Sequence, residues 1–199
     1  MAGPGRPRSE TAHRAVLLAA LAIVEESGYQ ALTMEAIARR AAVSKQTVYR
    51  WWPSKAAVVL EALNEGAAKL APAPHAGHLA EDLRRFLRRS VLGARGRTAR
   101  LLVALMAEAQ LDETFARSFQ DGFLAQRRAV LVEFLNGARA RGEIGPDVDV
   151  QLIAELFFGT LWYRLLAASG PVDQTFADEL TDALLELLTA GRTKHTPRG

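Results

Sequence analysis

The stretch from Ala31 to Lys55, ALTMEAIARRAAVSKQTVYRWWPSK, allows little besides two short helices meeting at a tight turn. Thr33 sets a side-chain oxygen ahead of Met34, Ile37, Ala38 and Ala41, whose i, i+3, i+4, i+7 spacing marks one apolar helix face, so Thr33 is the expected N-cap. Ser44 repeats the signal ahead of Lys45-Gln46-Thr47-Val48-Tyr49-Arg50-Trp51-Trp52, in which Val48 and Trp52 share a face. Pro53 disfavours helical geometry at the residue before it and ends the second helix; Ser54 caps another beginning near Lys55.

Two short helices across such a turn form a helix-turn-helix unit, whose second helix enters the DNA major groove. The outward residues suit that role. Lys45 and Gln46 reach base edges, Thr47 and Tyr49 offer hydroxyls to phosphates, and Lys55 opens a helix whose free amides attract the same anion. An aromatic core helix with its polar side in water accounts for Trp52 but leaves Lys45, Tyr49 and Lys55 without a task.

The run TMEAIARRAAVSKQTVYRWWPSK, with its aromatic pair after TVY and the PSK beyond, resembles the signature of the TetR family of transcriptional regulators. The resemblance covers about the first quarter of the chain, with a preceding helix and the SGYQALT connector. It implies an all-α chain: an N-terminal three-helix helix-turn-helix DNA-binding domain followed by a helical-bundle domain for ligand binding and dimerisation. It assigns Thr33 to phosphate, Ser44, Lys45, Gln46, Thr47 and Arg50 to the groove, and Tyr49 and Lys55 to backbone phosphates. One position departs from the pattern: Ala42 stands in the turn where the family usually has glycine, and must adopt the turn without glycine's freedom.

Charge supports a polyanion partner for the N-terminal part. Residues 1–55 hold 8 of the 25 Lys+Arg and 4 of the 22 Asp+Glu, a net +4, leaving −1 for residues 56–199. The absence of cysteine excludes disulfides, thiolate metal sites and cysteine nucleophiles. The N-terminus shows no signal-peptide core and no later run is long enough to span a bilayer without charges, so a cytoplasmic protein without a membrane partner is expected.

In chain order, residues 1–8 (MAGPGRPR) read as a flexible basic arm whose Arg6 and Arg8 are candidates for the minor groove. Residues 9–55 read as the DNA-binding domain, its first helix running from Ser9 to Ser27 with Val16, Ala20, Ile23 and Val24 inward, Gly28 ending it and Tyr29 packed beneath. Residues 56–199 read as the ligand-binding and dimerisation domain, entered through a long helix from Ser54 to Leu70. The APAPHAG segment, 71–77, breaks the helical pattern. His75, His78, Glu81 and Asp82 lie close in sequence but lack the fixed helical spacing of zinc sites, His13 and His195 read as isolated, and no metal or cofactor is expected.

Leu79 to Leu92 is amphipathic, with Arg84, Arg85, Arg88 and Arg89 expected on a solvated face. Leu101 to Ala109 reads as apolar on every side, and Asp112 caps one long segment carrying Phe115, Phe119 and Phe123 through to Gly137. Val150 to Ala168 is apolar all round apart from Glu155 and Arg164; with the helix from Thr175 to Leu188 it is expected to build a homodimer interface about a two-fold axis. Met106, Gln110, Phe123, Trp162 and Tyr163 are the candidate ligand-binding residues, suiting a hydrophobic small-molecule inducer.

Together these readings describe a homodimeric repressor that binds a palindromic operator in double-stranded DNA and leaves it when an inducer binds. Two alternatives remain open. One is a regulator of the same fold controlled by a protein partner; the other is a helical-bundle enzyme with a vestigial head, against which stands the lack of any nucleophile triad, paired carboxylates or phosphate loop.

Overall fold

The structure is a computed structural model that describes residues 6–70 and 77–190, with only the backbone described at 6–9 and 67–70. Among the described residues all regular structure is helical: α1 (Arg6–Ser27), α2 (Met34–Arg40), α3 (Lys45–Trp51), α4 (Lys55–Leu70), α5 (Leu79–Gly93), α6 (Gly96–Leu111), α7 (Glu113–Phe119), α8 (Ala125–Ala140), α9 (Val150–Ala167) and α10 (Gln174–Thr189). A single 3-10 turn, Tyr29–Ala31, precedes α2, and a π-helical turn, Gln120–Leu124, joins α7 to α8. The chain divides into two compact units, Met1–Ala67 with Arg100–Phe119, and Ala68–Ala99 with Gln120–Gly199.

In the first unit, Val16, Ala20 and Val24 of α1, Met34 and Ile37 of α2, Val48 of α3 and Val58 and Val59 of α4 are buried, with Leu32 and Trp52 beside them. Helix α1 starts at Arg6, not at Ser9 as the composition of the arm implied. Pro7 falls in its first turn, where a proline's missing N–H deprives the helix of nothing. Residues 1–5 lie outside the described residues, as do the side chains of Arg6 and Arg8. Gly28, at φ 80°, turns the chain off α1.

In the second unit α10 packs on α5 and α9, and α8 packs on α9. Its core is built from Leu83, Phe86, Leu87 and Val91 of α5, Leu131 and Leu135 of α8, Ile153 and Phe157 of α9, and Phe176, Leu184 and Leu188 of α10. Two features depart from what the sequence implied. The arginine face of α5 is not simply solvated: Arg88 forks onto Asp178 of α10 at 2.5 and 2.8 Å, and Arg84 pairs with Asp178 and Asp182. The segment after Asp112 is helical throughout but not α-helical throughout, since a π turn containing Asp121-Gly122, two weak helix formers, is inserted at Gln120–Leu124. Asp112 does cap α7, accepting from the amides of Thr114 and Phe115. In the first unit, α6 is likewise less apolar all round than expected: Leu101, Leu102 and Leu105 are buried while Ala107 and Gln110 are exposed.

Helix α9 is long and apolar enough, by length and composition, to cross a membrane. The two charges that interrupt it are both engaged, Glu155 by Arg128 at 2.6 Å and Arg164 by the Pro171 carbonyl at 2.6 Å. Its own unit covers only one side. Leu152, Leu156, Tyr163 and Leu166 are exposed, and at 100° per residue they fall with Gly159 on a single stripe opposite Phe157 and Leu161.

Candidate nucleic-acid interface

The turn between α2 and α3 is set by its caps. Thr33 Oγ1 accepts from the Ala36 amide at 3.1 Å and Ser44 Oγ from the Thr47 amide at 3.1 Å. Between them Ala42 takes φ 54°, the left-handed conformation required where the pattern favours glycine, while the Val43 amide reaches back to the Ala38 carbonyl at 3.0 Å. One left-handed alanine thus stands in the turn between α2 and α3.

Helix α3 lies on α2 through Val48, and Trp52 just beyond its end is buried, as the spacing implied. Ser44, Lys45, Gln46, Tyr49 and Arg50 are all exposed, with Thr47 half-buried. The seven residues of α3 thus present one continuous polar side, with Tyr49 half exposed and Thr33 exposed at the start of α2. Ser44 and Thr47 are tied to each other, Oγ to Oγ1, at 2.8 Å. Arg50 lies against the Trp51 ring, 5.4 Å from its centroid.

Several partners could not be read from local sequence. Lys45 forms an ion pair with Glu35 in the first turn of α2; their hydrogen bond holds the carboxyl below its ordinary range and the ammonium above it. Arg40 forks onto Glu26 with both bonds at 2.6 Å, joining the end of α2 to the end of α1. Lys55 Nζ stands over the Tyr29 ring, 4.6 Å from the centroid. His13 is not isolated: its Nε2 is 2.7 Å from Glu61 Oε1, and its ring lies 4.9 Å from that of Trp52.

His13, Glu61 and Glu65 hold potential metal-ligating atoms within 4.8 Å of one another. Glu61 already spends one oxygen on His13, which joins α1 to α4, and the other on the Trp52 indole, and Glu65 is exposed. His75 and His195 lie outside the described residues. Asp82, near His78, accepts instead from the Gly77 amide at 2.9 Å and from Arg85 at 3.1 Å.

The candidate ligand residues are distributed over both units. Met106 and Gln110 belong to the first, one helical turn apart on α6, with Gln110 Nε2 3.9 Å from Met106 Sδ. Phe123, in the π turn, and Trp162 and Tyr163, on α9, belong to the second. Tyr163 lies on the exposed stripe.

A capped pair of short helices with a polar, exposed second member defines the class of helix-turn-helix DNA-binding proteins. The comparisons narrow this. Residues 16–62 match the family model described as bacterial regulatory proteins, tetR family, and residues 73–184 match the tetracyclin repressor-like C-terminal domain. The chain is 32% identical over 176 residues to YdeS of Bacillus subtilis (strain 168), an uncharacterised HTH-type transcriptional regulator, covering 88% of this chain and 89% of that one. It is 31% identical to the DNA-binding transcriptional repressor TetR of Mycobacteroides abscessus, covering 91% of this chain and 95% of that one. The crystal structure of the TetR family transcription regulator SCO0332 matches with a TM-score of 0.76 at 36% identity, covering 88% of this chain and 97% of that one. The chain belongs to the TetR family and is a DNA-binding transcriptional regulator. The matched families and relatives are regulators, not enzymes, which removes the enzyme alternative.

Proposed function

We propose that this regulator is a cytoplasmic homodimeric repressor that reads a palindromic operator and is released by a small molecule with hydrophobic surface. The observation that carries this reading is the pairing of two exposed surfaces on one chain. One is the polar side of α3, with Ser44, Lys45, Gln46, Thr47 and Arg50 directed to the groove and Thr33, Tyr49 and Lys55 to phosphates. The other is the apolar stripe of α9, Leu152, Leu156, Tyr163 and Leu166, which a second copy would cover.

Each surface explains a need of the other. A single seven-residue helix reads too few base pairs for specificity, whereas two copies about one DNA turn apart, roughly 34–36 Å, read a palindrome. The repressor named among the relatives supports the sign of regulation. The candidate inducer-binding residues are Met106 and Gln110 in the first unit and Phe123, Trp162 and Tyr163 in the second. Release requires the inducer to favour the state whose reading heads no longer match the operator spacing.

Selection of genomic fragments bound by the purified protein, followed by footprinting, tests the reading. A two-fold symmetric footprint with half-sites one turn apart supports it. A footprint over one half-site, from a protein that sediments as a single chain, overturns it.

A further inference from the structure

We infer that Tyr29 is a positioning residue for Lys55: its buried ring is the seat that holds the ammonium at the start of α4, where the ammonium meets a DNA phosphate. The inference rests on the reading above that Lys55 contacts the backbone. Tyr29 lies in the 3-10 turn ahead of α2 and is 9% exposed, and its ring centroid is 4.6 Å from Lys55 Nζ, within the reach at which a ring face attracts a cation. The far end of the ring is fixed as well, because the Tyr29 hydroxyl donates to Glu108 Oε1 of α6 at 3.1 Å.

The two lysines of the reading head are held by different chemistry. Lys45 is held by a carboxylate, which a base edge must displace. Lys55 is held by an aromatic face, which directs the long side chain without neutralising its charge, so the full cation stays available to an anion on its other side. Burial, and then the charge of Glu108, push the Tyr29 phenol above its ordinary range, so the ring stays neutral wherever the protein is folded and bound. Ser54 completes the arrangement: its hydroxyl accepts from the Ala57 amide at 3.2 Å and starts α4 at Lys55.

The test is the salt dependence of binding to a random-sequence duplex, because a backbone contact acts on every sequence alike. Lys55→Ala should lower the slope of log affinity against log salt by about one. Tyr29→Leu should weaken binding about two- to five-fold, the magnitude of a cation–π contact at a solvated site. In the Lys55→Ala background Tyr29→Leu should do nothing further, while Tyr29→Phe, which keeps the ring, should bind like the parent.

A folded Tyr29→Leu protein with parental affinity overturns the inference, as does an equal loss from Tyr29→Leu in both backgrounds. Tyr29→Phe falling as far as Tyr29→Leu also overturns it, since the hydroxyl and not the ring face would then hold the lysine. If Lys55→Ala binds like the parent, the phosphate reading fails and the inference falls with it. One measurement needs no variant: the Lys55 methylene protons next to Nζ should show an upfield ring-current shift by NMR in the unaltered protein, and ordinary shifts there would overturn the seat.

Discussion

Trp52, at the end of the recognition helix, donates its indole N–H to Glu61 Oε2 of α4 at 2.6 Å. The other oxygen of Glu61 meets His13 of α1 at 2.7 Å, so one carboxylate gathers three helices of the reading head.

Removing that acceptor should strand a buried donor. Glu61→Leu is expected to cost about 1–3 kcal/mol, the desolvation penalty of an unpaired buried polar group, while Glu61→Gln keeps an acceptor and should cost less. Urea denaturation followed by tryptophan fluorescence measures both; equal losses would show that the indole bond contributes little.

Ala42 stores backbone strain at φ 54°. A left-handed alanine costs about 1–2 kcal/mol, and glycine's greater freedom in the unfolded chain takes back about 0.5–1 kcal/mol. Ala42→Gly is therefore expected to stabilise the protein by about 0.5–1 kcal/mol, read as a higher melting temperature. A lower one would mean that the turn does not strain the alanine.

Lys45, proposed to enter the groove, is paired with Glu35. Glu35→Gln should tighten binding to random-sequence duplex and steepen the salt dependence by about one ion, at the expense of discrimination between sequences. Gln46→Ala, by contrast, should lose about 1–3 kcal/mol only on operators whose contacted base it reads. Anisotropy titrations against both kinds of duplex separate the two effects.

The α9 stripe should govern assembly. Leu156→Glu places a charge at the middle of the proposed interface and is expected to give a single-chain particle in analytical ultracentrifugation with its helicity kept. Operator affinity should fall by at least tenfold as the paired heads are lost. A variant that still sediments as a dimer would move the interface elsewhere.

Acid should loosen α10 from α5. The Arg88 fork, foremost, holds the Asp178 carboxyl below its ordinary value of 3.8. With the folded-state value depressed, the unfolded chain binds more protons between the two values, so the stabilisation is complete above 3.8 and is lost as pH falls through the folded-state value. Asp178→Asn should be less stable than the parent at neutral pH, with the two stabilities converging below pH 3.8 in stepped denaturant titrations. Parallel curves would mean that the fork carries no linkage.

The local grammar of the reading head was legible because its rules span three or four residues. Thr33 and Ser44 cap the helices that their positions announce, Val48 and Trp52 face inward, and Ala42 takes the conformation that its place in the turn demands. What was missed lies between elements. The chain around His13 carries no sign of Glu61, nor that around Arg88 of Asp178, because each pairing depends on how two helices cross. The π turn at Gln120–Leu124 was missed for a different reason, since a single inserted residue leaves the apolar pattern on either side intact.

By itself, then, the sequence determined the two short helices of the reading head, their caps and the polar side of α3, since hydrogen-bond reach and the 3.6-residue period act within a turn or two of the chain. Only the tertiary structure decided which side of the uniformly apolar α9 is left bare, which acid holds Lys45, and that the Tyr29 ring lies beneath Lys55. Those outcomes depend on packing between segments distant in the chain, where burial selects one crossing among many that the same helices would permit.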